Sequence, residues 1–394
     1  MKIKKLGLLP RVLIAIALGI GCSFIFPNWL VRVFVTFTSL FNNFLDFSIP
    51  LIIIGLVVPG IAELGKGAGR LLGITVALAY VSTLISGFFS YFTSASIFPS
   101  IIESGSVAQV GDLSKNAIEP YFDIAMPPIM DVMSALILSF ILGLGLSAVK
   151  GNTLRNALTE FRDIVTDLIS KVIVPIFPLY VFSIFMKICL EMPIGVILGT
   201  FLKVILVIFL MSIVLLLFQF LVAGVIAKKN PLRCLWTMMP AYVTALGTQS
   251  SAATIPVTLA QTKKNGVDEN LADFTVPLCA TIHLAGSILK IVACSFAILL
   301  MFGKPVGLEV YAGFICMIGI VMVAAPGVPG GAIMASIGLI NTTFGFSTEM
   351  TAMMIAIYIV MDNFGTACNV TGDGAIALIV NKIYKKKQCE MPSE

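Results

Sequence analysis

Ala324-Ala325-Pro326-Gly327-Val328-Pro329-Gly330-Gly331 lies at the centre of a stretch of 39 residues, Val310–Thr348, that carries no charged side chain. A helix spanning a bilayer needs about 20 apolar residues, so this stretch is too long for one crossing. Two prolines and three glycines in eight positions cannot continue a helix. The stretch therefore reads as two half-helices turning back on each other inside the membrane. A second uncharged run, Cys234–Thr262, is bounded by Arg233 on one side and by Lys263 and Lys264 on the other. Basic residues mark the cytoplasmic side, so this run must enter and leave on the same side. Its middle, Thr248-Gln249-Ser250-Ser251-Ala252-Ala253-Thr254-Ile255-Pro256, is rich in small hydroxyl residues and suits a turn at membrane depth.

The rest of the 394 residues fit that frame. Apolar residues make up 58% of the chain, charged residues only 11%, and the mean hydropathy is +1.05. A soluble surface needs about a quarter of its residues charged. The balance excludes a soluble enzyme, a disordered regulator and a nucleic-acid module, and indicates a polytopic helical membrane protein. Helices are expected at roughly 9–27, 34–60, 71–97, 130–149, 164–190, 195–227, 270–301 and 350–382, with the hairpins between. Basic clusters at Lys2–Arg11, Lys66–Arg70, Lys150–Arg162, Lys228–Arg233 and Lys382–Lys387 place both termini in the cytoplasm. The eight cysteines lie mostly in apolar runs without a CxxC pair, and read as small apolar residues. Irregular backbone at membrane depth needs protein or a watery cavity to satisfy it. Two hairpins of opposite polarity, each followed by a helix, make an inverted pair, a transporter signature.

The densest polar segment is Asp362-Asn363-Phe364-Gly365-Thr366-Ala367-Cys368-Asn369-Val370-Thr371-Gly372-Asp373. At about 100° per residue, Thr366 lies about 40° from Asp362, Asn369 about −20° and Asp373 about 20°. Two carboxylates, a carboxamide and a hydroxyl share one face, with no Lys or Arg on the same stripe. Such a face belongs in the protein interior, and its hard oxygen atoms suit Na⁺ and an ammonium group. In the segment around 270–301, Gly286 with Thr281 and Ser287 suggests local unwinding. His283, the chain's single histidine, is either a hydrogen-bonded core residue or an ion-coupling group. Lys290 follows on the same face and either pairs with a carboxylate or snorkels. Nucleotide motifs are absent from the sequence. Ser250, Ser251 and His283 suit ligand and ion coordination better than an intramembrane protease.

These motifs, in this order and spacing, resemble the dicarboxylate/amino acid:cation symporter family over nearly the whole chain. The resemblance implies an all-α fold of eight transmembrane helices plus two re-entrant hairpins, arranged as inverted repeats in an elevator-type homotrimer of the cell membrane. Residues 1–70 and 98–190 would form a static scaffold and its external loop. Residues 71–97 and 191–394 would form the transport unit, with hairpins at about 234–262 and 310–346. By the same resemblance Asp362 holds the cargo ammonium. Thr366 and Asn369 contact cargo. Ser250, Ser251 and the backbone at Val328 and Gly330 hold its α-carboxylate and close the site. Asp373 with Asn369 ligates sodium, while Thr281 and the backbone near Leu284 help build a second sodium site.

Departures from the family pattern refine this. Acidic-cargo members place an arginine where Gly365 or Gln249 stands here, and only a guanidinium grips a second carboxylate in two places. A small neutral amino acid such as serine, threonine or alanine is expected. The alternatives are an acidic amino acid or C4-dicarboxylate, with sodium or proton coupling, and an anion channel. His283-Leu284-Ala285-Gly286-Ser287 replaces the pattern Asn-Met-Asp-Gly-Thr, so the aspartate of a deep sodium site is Ala285. Tyr80 and Thr83 match other parts of that site, but Leu84 stands where a hydroxyl is expected. About two coupled Na⁺ ions are expected, with a proton on His283 in place of one ion as the alternative.

Overall fold

A computed structural model describes residues 8–64, 69–106, 118–149, 151–191, 194–323, 325 and 330–390. The hairpin residue Val328 lies outside them. Among the described residues the chain is all-helical. The helices are α1 Leu8–Ser23, α2 Asn28–Leu64, α3 Gly69–Ile101, α4 Val132–Ala148, α5 Thr153–Asp167, α6 Val174–Glu191, α7 Ile194–Ala227 and α8 Pro231–Thr237. They continue with α9 Met239–Thr248, α10 Ser251–Lys264, α11 Glu269–Ile282, α12 Ala285–Met301, α13 Leu308–Val323, α14 Gly331–Phe344, α15 Thr348–Val360 and α16 Asp362–Glu390. Five helical stretches among these residues are long and apolar enough to cross a membrane, and the bent pair α15 and α16 makes a sixth. The chain is thus a multi-pass membrane protein.

α7 shows how one helix serves both lipid and protein. Leu202, Leu206, Leu210, Val214, Leu217, Leu221 and Val225 recur every three or four residues and are exposed. Val204, Ile208, Met211, Leu215 and Phe220 fill the other face and are buried. A helix apolar all round fits a bilayer, where an outward leucine meets hydrocarbon rather than water.

Packing sorts the helices into two sets. α2 packs on α4, α5 and α6, and α1 on α6. α3 packs on α12, α13 and α11, while α16 packs on α7, α9, α10, α11 and α12. The sets meet where α13, α14 and α15 touch α1, α2, α4 and α6. The innermost element is α12, in which every residue but Phe296 is buried.

Two departures from the expected boundaries bear on the fold, beside smaller shifts such as α2 beginning at Asn28 rather than 34. The helix expected at 164–190 begins at Thr153 and runs on through a wider π-type turn, Leu168–Ile173. Its first part, with Arg155, Glu160, Arg162 and Asp163, is too polar for a span signal, so charge hid a real helix. The helix expected at 350–382 is bent by 59° between Val360 and Asp362. No Pro or Gly marks that bend in the sequence.

α9 and α10 pack on each other about a turn at Gln249 and Ser250. Gln249 is left-handed at φ 55°, and Ser250 caps α10 by accepting a hydrogen bond from the Ala253 N–H. α13 and α14 pack likewise, with Gly330 at φ 75° entering α14. Each helix pair is followed by an interrupted helix: α11 breaks into α12 at His283 and Leu284, and α15 breaks into α16 at Met361.

Candidate functional site

The two helix breaks meet at the centre. Gly286, at the start of α12, lies so near α16 that an added methyl would stand 2.6 Å from the Gly365 carbonyl oxygen and 2.7 Å from Cys368 Cβ. This contact seats Asn369 in the first break. Its Oδ1 accepts from the N–H of Gly286 at 2.7 Å and of Ser287 at 3.3 Å, and its Nδ2 donates to Ser287 Oγ at 3.0 Å. Unwinding at His283 and Leu284 frees the Gly286 N–H for the carboxamide, whereas the Ser287 N–H is shared between Asn369 and the Leu284 carbonyl at 3.0 Å.

At the second break, Asp362 begins α16, where a carboxylate complements the helix dipole. Its Oδ2 accepts from the Gly330 N–H at 2.8 Å, which ties it to the tip of the second hairpin. Its Oδ1 lies 3.1 Å from Lys290 Nζ. Lys290 is fully buried, and its ammonium also lies 3.8 Å from the centroid of the Tyr358 ring and 3.5 Å from the Met361 carbonyl oxygen. The polar stripe of α16 carries no base of its own, but α12 supplies one, so Asp362 is paired. A lysine on one helix and a carboxylate on another cannot be matched by periodicity along either.

Gly365 has a second reason to lack a side chain. A methyl there would stand 3.0 Å from Lys290 Cδ and would overlap its Cε and Nζ. The space above Gly365 is filled by lysine, not open for an arginine.

A third cluster surrounds Asp373. Its Oδ1 lies 2.9 Å from His283 Nδ1, and both side chains are buried. His283 Nε2 lies 3.0 Å from Ser82 Oγ, which itself accepts from Gln219 Nε2 at 3.0 Å. In the tautomer with Nδ1 protonated, Nδ1–H donates to Asp373 Oδ1 and Nε2 accepts from the Ser82 hydroxyl. Asp373 Oδ2, Gln219 Oε1 and the Thr371 hydroxyl are buried without a hydrogen-bond partner among the described residues. Buried carboxylate and carboxamide oxygens without hydrogen-bond partners are hard-oxygen donors of the kind Na⁺ takes.

Ser82 and Gln219 escaped the sequence reading. Gln219 had a visible signal, since it is a lone carboxamide in the apolar run of α7. Ser82 had none among the many serines of α3. A cavity of about 130 Å³ between α3, α7 and α16 is lined by both residues.

The other expected site residues are placed as follows. Ser251 and Thr366 are buried, and Gln249 Nε2 reaches Asn363 Oδ1 at 3.3 Å, linking the first hairpin to α16. Thr281 is exposed and donates to the Leu278 carbonyl within its own helix. Tyr80 donates to the Cys316 carbonyl on α13, and Thr83 to Ala79 within α3. The Ala285 carbonyl accepts from Ser86 at 2.6 Å. The structure therefore joins Asp362 with Gly330, Asn369 with the first break, and Asp373 with His283. Tyr80, Thr83 and Thr281 bond elsewhere.

Known proteins resemble the chain along most of its length. The chain is 26% identical over 383 residues to the serine/threonine transporter SstT of Acinetobacter baumannii (strain AYE), covering 94% of this chain and 95% of the relative. The serine/threonine transporter SstT of Acinetobacter baylyi is 24% identical, covering 97% of this chain and 98% of the relative. The excitatory amino acid transporter 3 of Mus musculus is 34% identical over 178 residues, 43% of this chain and 33% of that protein. The profile of the sodium:dicarboxylate symporter family matches residues 8–383. The chain belongs to the sodium:dicarboxylate symporter family.

Proposed function

We propose that the protein is a sodium-coupled symporter of small neutral amino acids of the serine, threonine or alanine class. The observation that carries the cargo class is the Lys290–Asp362 pair. Lys290 fills the space beside Gly365 and lies against Asp362, the Met361 carbonyl oxygen and the Tyr358 ring, so no guanidinium stands there to grip a second cargo carboxylate in two places. The names of the bacterial relatives, serine/threonine transporters, point the same way.

In this reading Asp362 takes the cargo ammonium, and Gly330 and the first-hairpin serines Ser250 and Ser251 close over the carboxylate. Na⁺ is a second cargo. Asp373 Oδ2 is its clearest ligand, and Asn369, held by Gly286 and Ser287, shapes the neighbouring wall. About two ions are carried per cycle, because Ala285 offers no carboxylate to a deep site. α1, α2 and α4–α6 form the static scaffold of a homotrimer in the cell membrane, with both termini cytoplasmic. α3 and α7–α16 move across the membrane against it.

The second reading, an acidic cargo, has one observation in its favour: Lys290 is a cation at the centre of the molecule. Proteoliposome uptake with separate Na⁺ and H⁺ gradients and a panel of amino acids decides between them. Serine, threonine or alanine uptake driven by Na⁺ is expected. Preferential uptake of aspartate or glutamate, or uptake indifferent to Na⁺, overturns the proposal.

A further inference from the structure

The transport reading leaves Lys290 without a task. A symporter makes half of its cycle without cargo, and during that half its binding groups must cross the membrane. Asp362 is the difficult one: a buried carboxylate with no counter-charge is strongly disfavoured at membrane depth. In the structure Asp362 has two partners at once. Gly330 N–H, from the second-hairpin tip, holds Oδ2 at 2.8 Å, and the Lys290 ammonium holds Oδ1 at 3.1 Å. The tip can thus dock on a carboxylate that a protein cation neutralises.

A lysine ammonium and an amino acid ammonium are the same chemical group, and both cannot hold Oδ1 in the same way. Lys290 has somewhere to retreat to. The Tyr358 ring face and the Met361 carbonyl oxygen already contact Nζ, and an aromatic face is a resting place for a cation out of water.

We propose that Lys290 is a tethered counter-cation. It stands in for the cargo ammonium at Asp362 so that the cargo-free carrier can close and return, and it yields the carboxylate when an amine-bearing cargo binds. This rests on the symporter reading above.

The test separates the two claims. Net uptake into proteoliposomes requires the cargo-free return; exchange of labelled against internal unlabelled amino acid does not. Lys290→Met is expected to raise the ratio of exchange to net uptake at least about tenfold, and Lys290→Gln, made in parallel in case the first variant does not fold, to do the same. The variants should also favour alanine over its amine-free analogue lactate by at least about fivefold more than the wild type in binding measurements, which a merely structural lysine would not cause. Ratios equal to those of the wild type overturn the role of Lys290 and leave the symporter standing. So does a wild type whose net uptake lags its exchange by about tenfold or more, with or without usable variants. A wild type that neither exchanges nor accumulates any amino acid sinks the symporter reading and this inference together.

Discussion

His283 Nδ1 and Asp373 Oδ1 face each other at 2.9 Å in the buried core, although the residues are 90 positions apart in the chain. One carboxylate oxygen is thereby held in place while the other stays free. If that free oxygen ligates sodium, Na⁺ should raise the apparent melting temperature of the detergent-solubilised protein by mass action. Asp373→Asn should abolish the rise. His283→Ala should lower the baseline, because a hydrogen bond to a charged group is worth about 1.5–3 kcal/mol. A sodium effect untouched by Asp373→Asn would move the ion elsewhere.

Gly365→Arg, taken alone, should not confer uptake of acidic amino acids. The new side chain has to enter space filled by Lys290, and overpacking of this kind costs about 1–3 kcal/mol. Combined with Lys290→Ala, the arginine gains both room and a reason to stay charged, since Asp362 then lacks its base. The double variant is expected to take up aspartate where the single variant does not, as measured by labelled uptake. Acidic uptake by the single variant would show that Lys290 gives way freely.

Gly286→Ala should disable the carrier. The methyl would press on the Gly365 carbonyl, Cys368 and Asn369 Oδ1, and backbone has little freedom to yield. A loss of about 1–3 kcal/mol is expected, read as a lower melting temperature together with weaker sodium-dependent uptake. Gly195→Ala on α7, where nothing lies within 4 Å of the added methyl, is the matched control. Equal behaviour of the two variants would refute the close-approach argument.

The proposed motion of one helix set against the other can be trapped. A Cβ at Gly338 on α14 would stand 3.6 Å from Ile49 Cβ on α2, inside the roughly 3.5–4.5 Å range of a disulfide. Ile49→Cys with Gly338→Cys should cross-link on oxidation, stop transport, and recover with a reducing agent. Transport that continues with the bond formed would argue against sliding at this interface.

Much of this architecture could be read from residue types alone. Pro326, Gly327, Pro329 and Gly330 forbid one continuous helix, and Lys263 and Lys264 force the Cys234–Thr262 run to return to its own side. Gly286 with Thr281 and Ser287 pointed to the first break, because glycine and small hydroxyl residues are poor at continuing a helix. The bend at Met361 left no such trace. It is made by apolar residues without Pro or Gly, and it is held by what surrounds it: Lys290 on the Met361 carbonyl and Gly330 on Asp362. The α16 face was legible because period 3.6 aligns Asp362, Thr366, Asn369 and Asp373 within one helix. The partners of those residues lie elsewhere: Lys290 is on α12 and His283 at the break before it, and Ser82 on α3 and Gln219 on α7 extend the hydrogen bonds from His283. Their pairing exists only after packing, beyond the reach of any spacing rule.

Gln249 and Gly330 occupy corresponding tips, both left-handed, yet only one is a glycine. A side chain at positive φ is disfavoured by about 1–2 kcal/mol, so the first tip is held against its own backbone, in part by the contact with Asn363. The second tip bears no such penalty and is held by the charge state of Asp362. In the proposed cycle the two gates therefore obey different controls. The first is sprung, and relaxes whenever its contact with α16 is released. The second is latched, and answers to whichever ammonium sits on the aspartate.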